Sequence, residues 1–177
     1  VPGDQFDDMR AAWLSTDPKH PTYERTKGRA HGVAFAGASA ARLHGIGDLP
    51  DRHHDFVAPT RRQSQRTEIR YRKRVLDPSD VTLVEGLPVL SLEATIADLF
   101  NVEADLRHIA DALRDATGKR RLDLGRLAEL LSPYAVHHGL RRGDGKALLQ
   151  RLMKLAGLDV ESLAQALARS STYGTLS

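Results

Sequence analysis

The hexapeptide RRGDGK at residues 141–146 is the first place where this sequence could do chemistry. It combines three cations with two glycines just before a predicted helix, whose free N–H groups attract anions. Arg141, Arg142 and Lys146 could therefore hold a phosphate. The spacing of a nucleotide-binding P-loop is absent, however, so an ordinary turn with an aspartate cap is the favoured interpretation.

Two histidine pairs and two carboxylates are further candidates. His53–His54 and His137–His138 are adjacent pairs, which point to opposite faces of a strand or about 100° apart on a helix, so neither chelates like an i, i+4 pair. Glu93 and Asp98 lie on different faces of one predicted helix. Asp98 is flanked by apolar residues and is predicted to be partly buried, so pairing with an arginine or capping a backbone group is favoured for it over catalysis. No hydrolase, zinc or nucleotide motif is present. The sequence therefore predicts no catalytic residue, no metal and no cofactor.

The clearest signal for a partner is the basic segment, residues 52–74. It contains eight Lys or Arg and two acids, a net charge of +6, whereas the whole chain carries +3. From Glu68 to Arg74 the residues alternate, which predicts a strand with arginines on one face. The predicted partner-binding residues are Arg61, Arg62, Arg66, Arg70, Arg72, Lys73 and Arg74.

This arginine face suits a polyanion or an acidic protein surface. Tyr71, the aromatic residue of the strand, is predicted on the opposite face, so stacking on bases is not expected. Any nucleic-acid contact should be to phosphates, with little sequence specificity. A solvated sheet face whose charges discourage aggregation is an equally good alternative.

Composition narrows the class of protein. The chain has 177 residues, of which 41% are hydrophobic and 28% charged, as in an ordinary globular protein. There is no cysteine, which excludes disulfides and favours the cytoplasm. No run approaches the roughly 18 apolar residues of a membrane span, and the first residues show no signal-peptide pattern.

Periodicity and turn signals place these residues on an α+β fold. We predict a small, mostly antiparallel sheet over about residues 33–90 with flanking helices, followed by an all-helical C-terminal half. The predicted domains are an α+β core at 1–100, a helical subdomain packed on it at 101–170 and a disordered tail at 171–177. Predicted strands are 32–35, 55–58, 66–74 and 81–84; predicted helices are 5–14, 39–44, 91–100, 104–117, 123–131, one opening at Ser132, one ending at Gly157, and 159–170.

Two stretches resemble motifs of the AbiEi-type antitoxins. Residues 37–46, GASAARLHGI, resemble that family's sAAxLHGl helix, and residues 86–99, GLPVLSLEATIADL, are similar to its GlPVtSxexTiaDL segment. Their order, their separation and the basic β region between them also match. The resemblance covers roughly residues 1–157.

The resemblance implies a C-terminal antitoxin domain. The family usually begins with a winged helix-turn-helix ending in a strand like RGVYRVPG, and Val1-Pro2-Gly3 resembles the tail of that strand. The DNA-reading module is therefore expected to be missing here. Family members are encoded beside a nucleotidyltransferase-like toxin, repress their own operon and counteract the toxin through this domain. Many are type IV antitoxins, which act without a stable complex.

The resemblance thus predicts an antitoxin whose partners are that toxin and, in the full-length protein, operator DNA. One alternative is a DNA-binding transcriptional regulator that uses this domain for phosphate contacts. A lower alternative is an enzyme that neutralises the toxin by covalent modification such as phosphorylation, for which the 141–146 loop is the motivation.

Overall fold

The computed structural model describes residues 4–20 and 32–159, together with Glu24 and Glu161. The chain divides into two compact units. The first comprises Val1–Gly45 and Leu49–Ser91, and the second Ile46–Asp48 and Leu92–Ser177. The predicted tail at 171–177, nearly all of the predicted last helix and Val1-Pro2-Gly3 lie outside the described residues.

The first unit contains a five-stranded sheet with the strand order β3-β2-β1-β5-β4. Strands β1 and β2 are antiparallel, as are β4 and β5, whereas β1–β5 and β2–β3 are parallel. The α+β class is confirmed, but the expectation of a mostly antiparallel sheet is wrong, because the sheet is mixed. The strands are β1 (Ala34–Phe35), β2 (His54–Ala58), β3 (Ile69–Lys73), β4 (Val81–Val84) and β5 (Leu87–Leu90).

The error in strand direction arises at residues 59–68. The turn residues after Ala58 predict a reversal of the chain into an antiparallel neighbour. Instead this connection carries the chain back to the start of β2, and Phe56 pairs in register with Tyr71. Strand β5 is also absent from the sequence prediction. All four of its residues are buried, so it shows no alternation of polar and apolar side chains.

Helices α1 (Asp7–Thr16) and α2 (Gly37–His44) supply apolar side chains to the core of this unit. Met9 and Trp13 of α1 are buried in one cluster with Phe35 and Phe56 of the sheet. The rings of Phe35 and Phe56 are 4.5 Å apart between centroids. Aromatic burial of this size fixes which face of each strand points inward.

The β4–β5 hairpin turns at Glu85 and Gly86, whose φ angles are +53° and +75°. Two positive φ values are typical of the type I′ turn, which favours Asn-Gly over Glu-Gly. We expect Glu85→Asn to raise the free energy of unfolding by about 0.5–1 kcal/mol, because asparagine tolerates the left-handed region better. Urea denaturation measures this change.

Gly86→Ala is the matched control at the other turn position. Nothing lies within 4 Å of the added methyl group, so the φ of +75° alone should make this variant less stable. A stabilised Gly86→Ala variant, or a destabilised Glu85→Asn variant, would contradict the turn conformation.

The second unit is helical. Its helices are α3 (Leu92–Asp98), α4 (Leu106–Thr117), α5 (Leu124–Leu131) and α6 (Gly145–Leu155), with 3₁₀ turns at Leu99–Asn101 and Ser132–His138. Asp105, Asp123 and Asp144 cap α4, α5 and α6 by accepting backbone N–H groups at 2.9–3.0 Å. Among the described residues, no helix has both the length and the apolar character needed to cross a bilayer.

Candidate partner-binding surfaces

The basic segment forms edge strand β3 and the connection before it. Ile69 is buried, and the ring of Tyr71 stacks on Phe56 with centroids 5.8 Å apart. Alternation therefore directs Arg70 and Arg72 to the opposite face, as the sequence predicts. Arg70 is exposed and Arg72 is half-buried.

An acid lies among these arginines. Asp55 of β2 pairs in register with Arg70 and is half-buried. Burial raises the pKa of the Asp55 carboxyl, and the nearby charges of Arg72 and Arg70 only partly oppose this increase. The arginine face is therefore partly neutralised, an effect that the alternation of β3 alone does not reveal.

The other predicted cations of the segment divide into engaged and accessible groups. Arg62 donates to the carbonyl oxygen of Thr16 at 3.0 Å, and Arg66 forms an ion pair with Glu68 at 2.6 Å. Arg74 is half-buried, whereas Arg61 and Lys73 are exposed. Arg66 remains exposed despite its ion pair, so the accessible cations are Arg61, Arg66, Arg70 and Lys73. Strand alternation directs Lys73 away from Arg70.

Helix α2, which contains the first antitoxin-like motif, holds β2 in place. The Ser39 hydroxyl lies 2.9 Å from Asp51 Oδ1 and 3.0 Å from the carbonyl oxygen of His53. The Ser39 hydroxyl oxygen also accepts the N–H of Asp55 at 3.0 Å. These bonds satisfy buried polar groups where the chain enters the basic segment.

The next residues of this motif also make structural contacts. Arg42 binds both carboxylate oxygens of Asp8, at 2.8 and 3.0 Å. This hydrogen bond, although burial opposes it, holds the pKa of the Asp8 carboxyl below its usual value. The His44 ring contacts the carbonyl oxygen of Leu90 through Nε2 at 2.7 Å, and Gly45 ends α2 in the left-handed conformation.

The second motif places two acids inside the helical unit. Glu93 receives two bonds of 2.8 Å from the guanidinium of Arg120 and a third of 2.8 Å from the N–H of Asp123. Burial raises the pKa of Glu93, but these three hydrogen bonds outweigh it and the net shift is downward. Asp98 is fully buried and accepts a bond from Asn101 at 3.1 Å. Both acids thus help to fold the unit.

The loop at 141–146 is a tight turn into α6. Gly143 has a φ of +79°, and the Asp144 carboxylate accepts the N–H of Ala147 at 3.0 Å. A carboxylate therefore already stands at the helix N-terminus, where a bound phosphate would accept the same bonds. The three cations of the loop, Arg141, Arg142 and Lys146, are exposed.

The same turn forms one side of a shallow cleft of about 420 Å³. Its lining residues are Ser132, Pro133, Val136, Arg142 and Gly143. The sequence does not predict this cleft, because its two sides come from separate segments. An exposed valine after a Ser-Pro helix start was the signal that could have drawn attention to it.

The histidine pairs occupy different surroundings. His53 precedes β2 and His54 is its first residue, and Nδ1 of His54 is buried without a hydrogen-bond partner. His138 packs edge-on against Phe100 with ring centroids 5.4 Å apart. In the described part of the chain, no three His, Asp or Glu side chains lie close enough to hold a metal ion.

Comparison with known proteins finds the same family that the two motifs resemble. The model of the AbiEi antitoxin C-terminal domain matches residues 33–158. No curated protein matches the chain. The crystal structure of the RV2827C protein from Mycobacterium tuberculosis is similar, with 19% sequence identity and a TM-score of 0.57.

That similarity covers 94% of this chain but only 58% of the mycobacterial chain. At this low identity the match supports the fold alone. The family match supports more than the fold, because residues 33–158 include both motifs, the basic segment and the helices through α6. On this basis, the chain belongs to the AbiEi antitoxin C-terminal domain family.

Proposed function

We propose that this chain is the toxin-neutralising domain of a bacterial antitoxin that counteracts a nucleotidyltransferase-like toxin. The observation that carries the proposal is the family match over residues 33–158. The motif residues support it indirectly. Ser39, Arg42, His44 and Glu93 are engaged in internal bonds, so they maintain the domain and leave partner recognition to other residues.

Within this proposal, the accessible cations of the basic segment bind an acidic surface of the toxin. Arg61 and Arg70 are exposed, and neither takes part in an ion pair among the described residues. Such a charged surface accelerates encounter and selects partners of opposite charge. In a longer protein with a winged helix, the same chain would also belong to the repressor of its own operon.

Co-expression with the toxin encoded by the neighbouring gene tests the function. The chain should restore growth of a bacterial host that the toxin alone arrests. A second strain should carry Arg61→Ser, Arg70→Ser and Lys73→Ser together, and we expect at least tenfold fewer survivors there because three charges are lost. Arg107→Ser, Arg114→Ser and Lys119→Ser, also exposed cations, form the charge-matched control.

The outcomes distinguish a failure of the antitoxin assignment from a failure of the basic segment as the binding surface. Failure of the unmodified chain to rescue growth, at confirmed soluble expression, would contradict the antitoxin assignment. Full rescue by the basic-segment variant would remove this surface from the mechanism but leave the assignment intact.

The second candidate function is a transcriptional regulator in which this domain binds DNA phosphates. The exposed side chains of Arg61, Arg66 and Arg70 favour it. Each phosphate contact adds to the dependence of affinity on salt. Operator DNA should therefore bind the full-length protein with a steeper salt slope than it binds the winged helix alone. Equal slopes would exclude a contribution from this domain.

A further inference from the structure

The cleft beside the 141–146 turn joins an apolar floor to a cationic rim. Pro133 and Val136 project from the Ser132–His138 turn, and Val136 remains 45% exposed. Arg142 and Gly143 close the other side. Covering an apolar side chain that is this exposed stabilises the complex with a partner.

Two contacts connect the Ser132–His138 turn to the start and the middle of α6. An added Cβ on Gly145 would stand 1.8 Å from the carbonyl oxygen of Ala128, which shows how closely the start of α6 approaches the end of α5. Arg151 of α6 donates to the carbonyl oxygen of His138 at 2.7 Å. The Ser132–His138 turn is thus connected to α6 near Ser132 and at His138, which lowers the cost of ordering it when a ligand binds.

The charges around the cleft define the ligand. Arg141, Arg142 and Lys146 are exposed on the turn. The acid of the same turn, Asp144, has its carboxylate engaged with the N–H of Ala147. Three cations outnumber this one acid, so the rim is net cationic and suits a carboxylate carried beside an aliphatic group.

We propose that this cleft docks an acidic, aliphatic peptide segment of the toxin, with an aliphatic side chain against Pro133 and Val136 and a neighbouring carboxylate on Arg142. The identity of the partner rests on the proposed antitoxin function, while the ligand chemistry rests on the cleft alone. This surface lies in the second unit, apart in sequence from the basic segment of the first. A volume of about 420 Å³ accommodates a few side chains.

Fluorescence anisotropy with three labelled peptides tests the ligand chemistry without the toxin. The probes are decapeptides that alternate glutamate with leucine, glutamate with serine, and lysine with leucine. The glutamate–leucine peptide should bind at least tenfold more tightly than either of the others. Val136→Asp and Arg142→Glu should each weaken its binding at least tenfold.

Val102→Asp and Arg121→Glu are the matched controls. Val102 is 44% exposed, nearly the same as Val136, and Arg121 is exposed. Both control variants should bind the peptide like the unmodified chain, and circular dichroism should show the same helix content in all four. Equal effects of the cleft and control variants, or a preference for the lysine peptide, would overturn the proposal.

Rescue of growth then distinguishes toxin docking at the cleft from the antitoxin function on which it rests. If the unmodified chain rescues and the Val136→Asp, Arg142→Glu double variant does not, the cleft is a toxin-docking surface in addition to the basic segment. If both rescue equally, docking here is wrong and the antitoxin function stands. If neither rescues while the peptide still binds as predicted, the antitoxin function fails and the cleft keeps its ligand class with another partner.

Discussion

Gly145→Ala should lower the free energy of unfolding of the helical unit by about 3 kcal/mol or more. The new Cβ would stand 1.8 Å from the Ala128 carbonyl oxygen and 2.8 Å from the Ser132 nitrogen. Both are backbone atoms, so no side chain can rotate away. The helix α6 must shift from α5 instead, which opens packing around fully buried leucines such as Leu148 and Leu127.

Gly118→Ala is the matched control for this effect. Its Cβ would meet only the Asp115 carbonyl oxygen, at 3.3 Å, and its φ of −80° is ordinary for alanine. We expect a change within about 1 kcal/mol, since alanine also restricts the unfolded chain. Urea titration followed by circular dichroism measures both variants, and a Gly145→Ala loss no larger than the Gly118→Ala loss would contradict the close approach.

Arg120→Met should cost about 1–2 kcal/mol at neutral pH, the second large effect, and less than for a pair buried on both sides because the Arg120 side chain is 48% exposed. The substitution leaves the Glu93 carboxylate, whose side chain is only 6% exposed, without its cation. Arg114→Met is the control, because the Arg114–Asp111 pair on α4 is more than half exposed at both side chains. Exposed pairs contribute little, so that variant should stay within about 0.5 kcal/mol of the unmodified chain.

The pH dependence identifies the cause. In the unmodified chain the hydrogen bonds hold the pKa of Glu93 below its usual value despite burial, so its contribution to stability is present above pH 4.5 and lost as the pH falls through the lower folded pKa. In Arg120→Met the hydrogen bonds from the guanidinium are lost, so burial raises the pKa of Glu93 with less opposition. The deficit of the variant should therefore be largest near neutrality and should shrink as the pH falls below about 4.5. A deficit independent of pH would instead indicate lost packing of the arginine stem.

A double variant completes this test. Glu93→Leu with Arg120→Met removes both charges and leaves an apolar pair of similar volume. We expect it to be more stable than Arg120→Met alone, with a coupling energy of at least about 1 kcal/mol.

The accuracy of the sequence predictions depended on how local the determining forces are. The helix at Leu106–Thr117 and its stop at Gly118 agree with the prediction at 104–117, because periodicity and capping act within a few residues. Strand β4 is Val81–Val84, as predicted. The direction of β3 was wrong, because pairing direction depends on where residues 59–68 travel and not on their turn chemistry.

The partner-binding residues show the same division. Alternation correctly separated Arg70 from Tyr71, but it could not reveal that Arg62 reaches the carbonyl oxygen of Thr16, 46 positions away in sequence. The role of Glu93 with Arg120 was likewise beyond periodicity, since its partner follows on the far side of α4. Long-range ion pairs depend on the assembled fold, and single-sequence patterns carry no signal for them.

The pairing of β1 has a consequence for synthesis of the chain. This two-residue strand lies at the centre of the sheet, and its parallel neighbour is reached only at Phe35↔Val89. On the ribosome, β1, β2 and β3 therefore leave the exit tunnel with one side of the sheet still open, and the β4–β5 hairpin must arrive before the sheet can close. We expect the first unit to stay sensitive to protease in nascent chains that end before Leu90 and to become protected in longer ones.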